Sequence, residues 1–354
     1  MIYSRIVKLR REPWLDLLPA DPRPALLEAA EPSARFVTLT KVLGVSEQDP
    51  EVRAARAGVV ADPGIRALVD RLPAWEPGLT FGGHNSPAFP PNLLRLLHSL
   101  GVRSGDFPAI ERTLDRMLRR QADDGRLLTP GGTTAGKDAG SSWASLPCDH
   151  FAILEVLLLY GRRDARPCDA ALTRIRDTYG ETAQGPGWLC IPDPVAKWRG
   201  PGRKNDVCLQ VTIEALRLFA LVPAASRPRG IADAARTVLG AWRRRGTEKP
   251  YFFGHGRRFV EGKWPPTWYD ASAVLEALAA CPSAWKGNRA AAADRQSVAE
   301  MVRALASTFG PDGMVTPRSC FKGFEAYSYG QKKAPSPWAT ARLCGILRAC
   351  TARA

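Results

Sequence analysis

The sequence predicts an all-helical chain closed into an (α/α)6 toroid of about six helical hairpins, and three observations predict it. Apolar segments ending near a glycine or proline recur along the chain at 36–44, 92–101, 151–161, 211–223, 273–282 and 341–350. Aligned on Leu93, Ile153, Ile213, Leu275 and Leu343, they follow one another at intervals of 60, 60, 62 and 68 residues. Between them lie segments whose apolar residues repeat every three or four positions with arginine and aspartate on the other face, and almost no alternating strand pattern appears anywhere.

Each element follows from that alternation. The nearly all-apolar segments are read as inner helices, which touch neighbours on every side. The amphipathic segments 110–122, 170–179, 231–245 and 298–309 are read as outer helices with one face in water. A turn of glycine with an apolar or aromatic neighbour follows each outer helix, as in Asp124-Gly125, Gly187-Trp188 and Asp312-Gly313, and caps it against the next hairpin. The first 80 residues are the least regular part of what is read as one domain over 1–354, with 51–71 divided at Asp62-Pro-Gly into two short helices.

Composition narrows the function. The chain of 354 residues is 45% apolar, enough for a large core and too much for a disordered protein. No run approaches a membrane span, and the first residues carry charges where a signal peptide needs an apolar stretch, so a cytoplasmic protein with reduced thiols is expected. Eight cysteines are scattered without a disulfide spacing; Cys168, Cys281, Cys344 and Cys350 read as small buried apolar residues. The net charge of +15 reflects either an arginine-rich composition or an anionic partner. No basic stripe with interleaved aromatics marks a nucleic-acid surface.

The segments Val211-Thr-Ile-Glu-Ala-Leu and Ala273-Val-Leu-Glu-Ala-Leu, the turns Gln121-Ala-Asp-Asp-Gly125 and Gly310-Pro-Asp-Gly313, and Gly187-Trp188 resemble the toroids of terpenoid cyclases and protein prenyltransferase β-subunits. The repeat resemblance runs from about residue 36 to the end of the chain. The acid cluster Asp-x-Asp-Asp of the protonating cyclases is missing, since Asp123-Asp124 falls in a repeat turn. The zinc-dependent prenyltransferase branch matches at one place. Arg199-Gly-Pro-Gly-Arg203-Lys204-Asn-Asp206-Val-Cys208 opens the fourth inner helix, and Tyr269-Asp270 falls where that family has Tyr-His.

The resemblance therefore implies Zn²⁺ or another divalent metal on Asp206, Cys208 and Asp270, with aspartate replacing the family's histidine. It implies a diphosphate near Arg199, Arg203 and Lys204 and a tyrosine hydroxyl from Tyr269 at the reacting end. Repeat alignment adds Cys148, Asp149, His150 and Cys190 to the same rim, Asp149 as a catalytic group and the others as further candidate ligands. The alternative is a set of ordinary helix caps, the favoured reading for Asp149 and Asp270 taken singly, and His150 alone reads as a local structural histidine. Trp198, Trp268 and Trp338, beside helix starts, are candidates for an apolar substrate wall. The expected activity is transfer or cyclization of an apolar, diphosphate-bearing small molecule or a peptide. The competing readings are a non-catalytic repeat that grips a protein or peptide and, on charge alone, a nucleic-acid binder.

Overall fold

The computed structural model describes residues 11–79, 83–130, 143–191, 202–248, 250, 253, 256–267, 270–288 and 290–352. The chain is mainly helical. In order the helices are α1 (Arg23–Glu28), α2 (Pro32–Val37, prolonged by a π-type turn Thr38–Val42), α3 (Pro50–Ala61), α4 (Pro63–Asp70), α5 (Pro90–Ser99), α6 (Pro108–Leu118), α7 (Pro147–Leu159) and α8 (Arg166–Asp177). They continue with α9 (Leu209–Ala220), α10 (Ile231–Arg243), α11 (Arg257–Glu261), α12 (Ala271–Ala279), α13 (Ala292–Ala306) and α14 (Pro337–Thr351). Strand is confined, among the described residues, to two small antiparallel pairs, β1 (Thr129–Pro130) with β2 (Trp143–Ala144) and β3 (Gly180–Thr182) with β4 (Gly185–Gly187).

Every segment read as an inner or outer helix is helical, because its residues leave it no competing period. Proline stands in the first turn of α2 to α8 and α14, where the amide it lacks would have no partner inside the helix. Asp49 and Asp62 cap α3 and α4 through bonds to the amides of Glu51 (2.9 Å) and Ile65 (3.0 Å), which divides 51–71 where expected.

The inner segments α5, α7, α9, α12, α14 and α2 pack in that sequence, each on the next. Phe36 of α2 lies against Gly101 at the end of α5, where a Cβ would come within 2.9 Å of its ring. The amphipathic helices cover the outside: α8 packs on α7, α10 on α9, and α13 on both α12 and α14. In α7 every residue from Cys148 to Leu157 is buried, as a helix with neighbours all round requires. Fully burying one leucine of such a helix stabilises the fold by roughly 1.5–3 kcal/mol, so these segments supply most of the driving force.

The glycine turns join the hairpins as read. Gly125 has φ +88° and no room for a side chain, since a Cβ would lie 2.8 Å from the carbonyl oxygen of Ala170 in α8. Trp188, 1% exposed, donates from Nε1 to the Ile175 carbonyl (2.9 Å) and packs among Phe151, Tyr179 and Phe219, so it staples α7, α8 and α9 together. Among the described residues no helix is long and apolar enough to cross a membrane.

Candidate functional site

All six inner segments contribute to the lining of one cavity of about 570 Å³. Two groups of polar side chains are carried by these segments and the loops before them, and the second of them lines the cavity. The first gathers where the starts of α5, α7 and α9 meet; the second crosses the middle of the same helices and of α12 and α14.

The first group is built by local geometry. Asn92, in the first turn of α5, donates to the carbonyls of His84 (2.6 Å) and Ser86 (3.0 Å) and so folds the preceding loop over the helix start. This brings His84 to α7, where its Nδ1 hydrogen-bonds the Asp149 carboxylate. The ligand atoms of His84, Cys148 and Asp149 all lie within 4.8 Å of one another. Cys190 and Cys208 arrive from the other side. Leu189 and Val207 form an antiparallel bridge, the Cys208 amide donates to the Trp188 carbonyl (2.8 Å), and the two thiols are hydrogen-bonded to each other.

Charge couples these groups. The hydrogen bond that the protonated Cys208 makes to Cys190, and then burial, push the Cys208 thiol well above its ordinary range, and burial followed by the charge of Asp149 does the same for Cys148. Burial works against the His84 imidazolium, yet Asp149 beside it, with Glu214 and Cys190, holds the pKa above the usual value. Such a set of an imidazole, a carboxylate and thiols whose ionisation is disfavoured without a counter-charge is a donor set that a divalent cation would stabilise.

The second group is a buried collar. Arg95 Nη2 and Arg217 Nη2 share one oxygen of Glu155, at 2.7 and 3.3 Å, and Arg342 makes a bidentate pair with Glu276 at 3.1 and 3.0 Å. Burial would raise the Glu276 carboxyl, but the Arg342 guanidinium holds it down at about 2. Although 41% of the Glu276 side chain is accessible, it faces the cavity and is enclosed by protein. Glu214 accepts from Gln210 (2.6 Å), and burial, partly offset by Arg95 and Arg217, pushes it up to about 7. Toward the C-terminal ends of the helices, Lys41, Arg103 and Arg348 surround the opening. Burial, with Arg103 and Lys41 nearby, holds His98 down to about 3, so the imidazole there is neutral.

The predicted ligands divide. Cys148, Cys190, Cys208 and Asp149 enter the first group. The trio Asp206, Cys208 and Asp270 does not, because the aspartates serve the backbone. Asp206 turns back to the Gln184 side-chain amide (2.8 Å) and the Arg203 amide (2.7 Å). Asp270 caps α12, accepting from the Ala273 amide (2.9 Å) and the Ser272 hydroxyl (2.7 Å), with Gly262 packed against it. His150 is also corrected: its Nδ1 accepts from the Leu127 amide (3.0 Å) and burial depresses it to about 3, so it is a neutral core histidine.

Arg203 and Lys204 lie exposed beside Asp206, Arg244 and Glu248 in a surface depression outside the cavity. Trp338 is fully buried and donates to the Ser99 carbonyl (3.3 Å) between Trp264 and Tyr329, which makes it core rather than cavity wall. Arg199, Trp198, Trp268 and Tyr269 lie outside the described residues.

His84 and the collar were missed. The signal for His84 was its place ahead of α5, one hairpin before Cys148-Asp149, on the same rim of helix starts. The signal for the collar was the presence of Arg95, Glu155, Arg217, Glu276 and Arg342 inside otherwise apolar inner segments.

No family model matches the chain, and no curated protein matches it. The chain is similar to a solved structure described as a protein from Actinoplanes, at 16% identity and a TM-score of 0.41, over 91% of this chain and 89% of that one.

Proposed function

We propose that the inner segments close into an (α/α)6 ring and that the protein is a divalent-metal enzyme of the prenyltransferase or cyclase type. It acts on an apolar, anion-bearing substrate held in the axial cavity. The observation that carries this reading is the convergence of His84, Cys148 and Asp149 within 4.8 Å beside the starts of α5 and α7, two of the helices whose later turns line the cavity.

The donor set fits Zn²⁺. In the arrangement favoured here Cys148, with Cys190 and Cys208 beside it, supplies thiolates and His84 an imidazole nitrogen. Asp149, bonded to His84 Nδ1, fixes the tautomer and orientation of that ring. A zinc ion there would supply Lewis-acid polarisation or a thiolate nucleophile of depressed pKa. The chain's own residues do the rest. The apolar helix faces exclude water from the substrate, and the arginines of the collar stand where negative charge develops on a leaving group. Glu214, near its midpoint at neutral pH, can hold or release a proton between the two polar groups.

Metal analysis of protein purified from zinc-supplemented cells without chelator tests the proposal. One equivalent of metal in the wild type, lost in Cys148→Ser, is the expected result. Wild-type protein that is folded and metal-free overturns it.

A further inference from the structure

We infer that the arginine collar is the subsite for an oxyanion head group, so that the ligand enters head first and its apolar body points to the mouth formed by the C-terminal ends of the inner helices. This rests on the ligand-binding role proposed for the cavity and adds the chemistry, depth and direction of binding.

The collar has bonding capacity that its internal pairs do not use. Arg95, Arg217 and Arg342 are each paired to glutamate through terminal nitrogens, while the buried Nε of each has no partner. A guanidinium bound along one edge presents Nε–H along another, and that edge matches a carboxylate or phosphate oxygen. Two acceptors without a partner stand on α9, the helix that carries Arg217. Gln210 and Glu214 are 6% and 4% exposed, and their Oε1 and Oε2, respectively, have no partner. Gln210 lines the cavity. A protonated phosphate oxygen or a hydroxyl next to the anion would satisfy them, and a Glu214 carboxyl pushed up to about 7 can share that proton.

The rest of the cavity sets the direction. Leu96, Leu159, Ala220, Leu221 and Ile346 line it. Leu221, near the end of α9, is 39% exposed, one of two exposed large hydrophobic residues among those described. Lys41, Arg103 and Arg348 stand at the same end, so an approaching anion meets cations before it reaches the collar. A water-soluble head anchored at that mouth would leave the collar's donors unpaired inside the protein, which costs more than the mouth contacts return.

Calorimetric titration of the full-length protein as purified with farnesyl diphosphate, dodecanoate and farnesol tests the assignment. Farnesyl diphosphate is expected to bind, Arg217→Gln and Arg342→Gln each to weaken it about tenfold or more, and Arg203→Gln, in the surface loop, to change it less than about twofold. Farnesol is expected to bind weakly and to ignore the collar substitutions. Dodecanoate binding that also depends on Arg217 assigns carboxylates to the class; binding of the diphosphate alone confines it to phosphates. If the arginine variants do not fold, Gln210→Glu, which adds a carboxylate at the same depth and leaves the arginine pairs intact, should weaken the anion but not the alcohol. Diphosphate affinity unchanged by collar substitutions, affinity lost in Arg203→Gln, or no binding of either anion overturns the inference. Metal-free protein that still binds the diphosphate through the collar would overturn only the metal enzyme, and metal-loaded protein with collar-independent binding only this subsite.

Discussion

The starts of α7 and α12 are both inner-helix starts with an aspartate, and the two aspartates do different work. Asp270 is the N-cap of α12, and its Oδ1 is taken by the Ala273 amide and the Ser272 hydroxyl. At α7 the cap position is Leu146 and the aspartate stands three residues later. Its Oδ2 lies 3.4 Å from the Leu146 amide, which leaves Oδ1 for His84 from another hairpin. Ser336 caps α14 in the manner of Asp270, bonding the Ala339 amide at 3.2 Å. An aspartate at a helix start becomes available to a ligand where its oxygens are not both engaged by the helix's own first turn, and between α7 and α12 a shift of a few residues decides that.

The comparison breaks hardest at His84. His84→Ala is expected to lower metal affinity by more than about a hundredfold, measured by competition with a chromophoric chelator, while Ser336→Ala leaves it unchanged and costs about 1 kcal/mol in urea unfolding. Next comes Asp149→Asn, which keeps a bond to the ring but loses the charge; affinity should fall about 10- to 100-fold. If Asp149→Asn binds metal as the wild type does, the carboxylate is only a cap and the distinction collapses.

Asp270→Asn is expected to retain the cap and full metal content. Burial raises the folded-state pKa of Asp270 above its ordinary value, so the native chain holds that proton to higher pH than the unfolded chain. Stability from this group is therefore complete below about pH 4 and lost as pH rises through the raised pKa. The neutral amide of the Asp270→Asn variant should flatten that decline in a pH series of thermal melts; an unchanged slope would remove the buried carboxyl from the account. The smallest effect is expected for Asp206→Asn, under about 1 kcal/mol with no loss of metal, because the loop bonds to Gln184 and the Arg203 amide are partly exposed.

The positions of the helix starts were legible in the sequence because inner and outer helices differ in apolar period, and the period of about 60 residues placed Cys148-Asp149 and Asp206-Val-Cys208 in equivalent positions. The members of the rim that face inward were not legible. Asp206 and Cys208 are two residues apart at the entry to one helix, yet the aspartate turns to the loop and the cysteine to Cys190. Trp338 reads from its position like Trp268, but its ring is filled in between Trp264 and Tyr329.

By itself the sequence determined the helices, their division into buried and half-exposed classes and the turns between them, since these follow from side-chain period, proline placement and glycine conformation within short windows. Tertiary structure alone decided that His84 meets Asp149 across 65 residues and that Arg95 and Arg217, from two helices, share a single oxygen of Glu155 on a third. Such pairings depend on where packing directs each side chain, and a charge in a buried helix shows in the sequence that it must have a partner without showing which one.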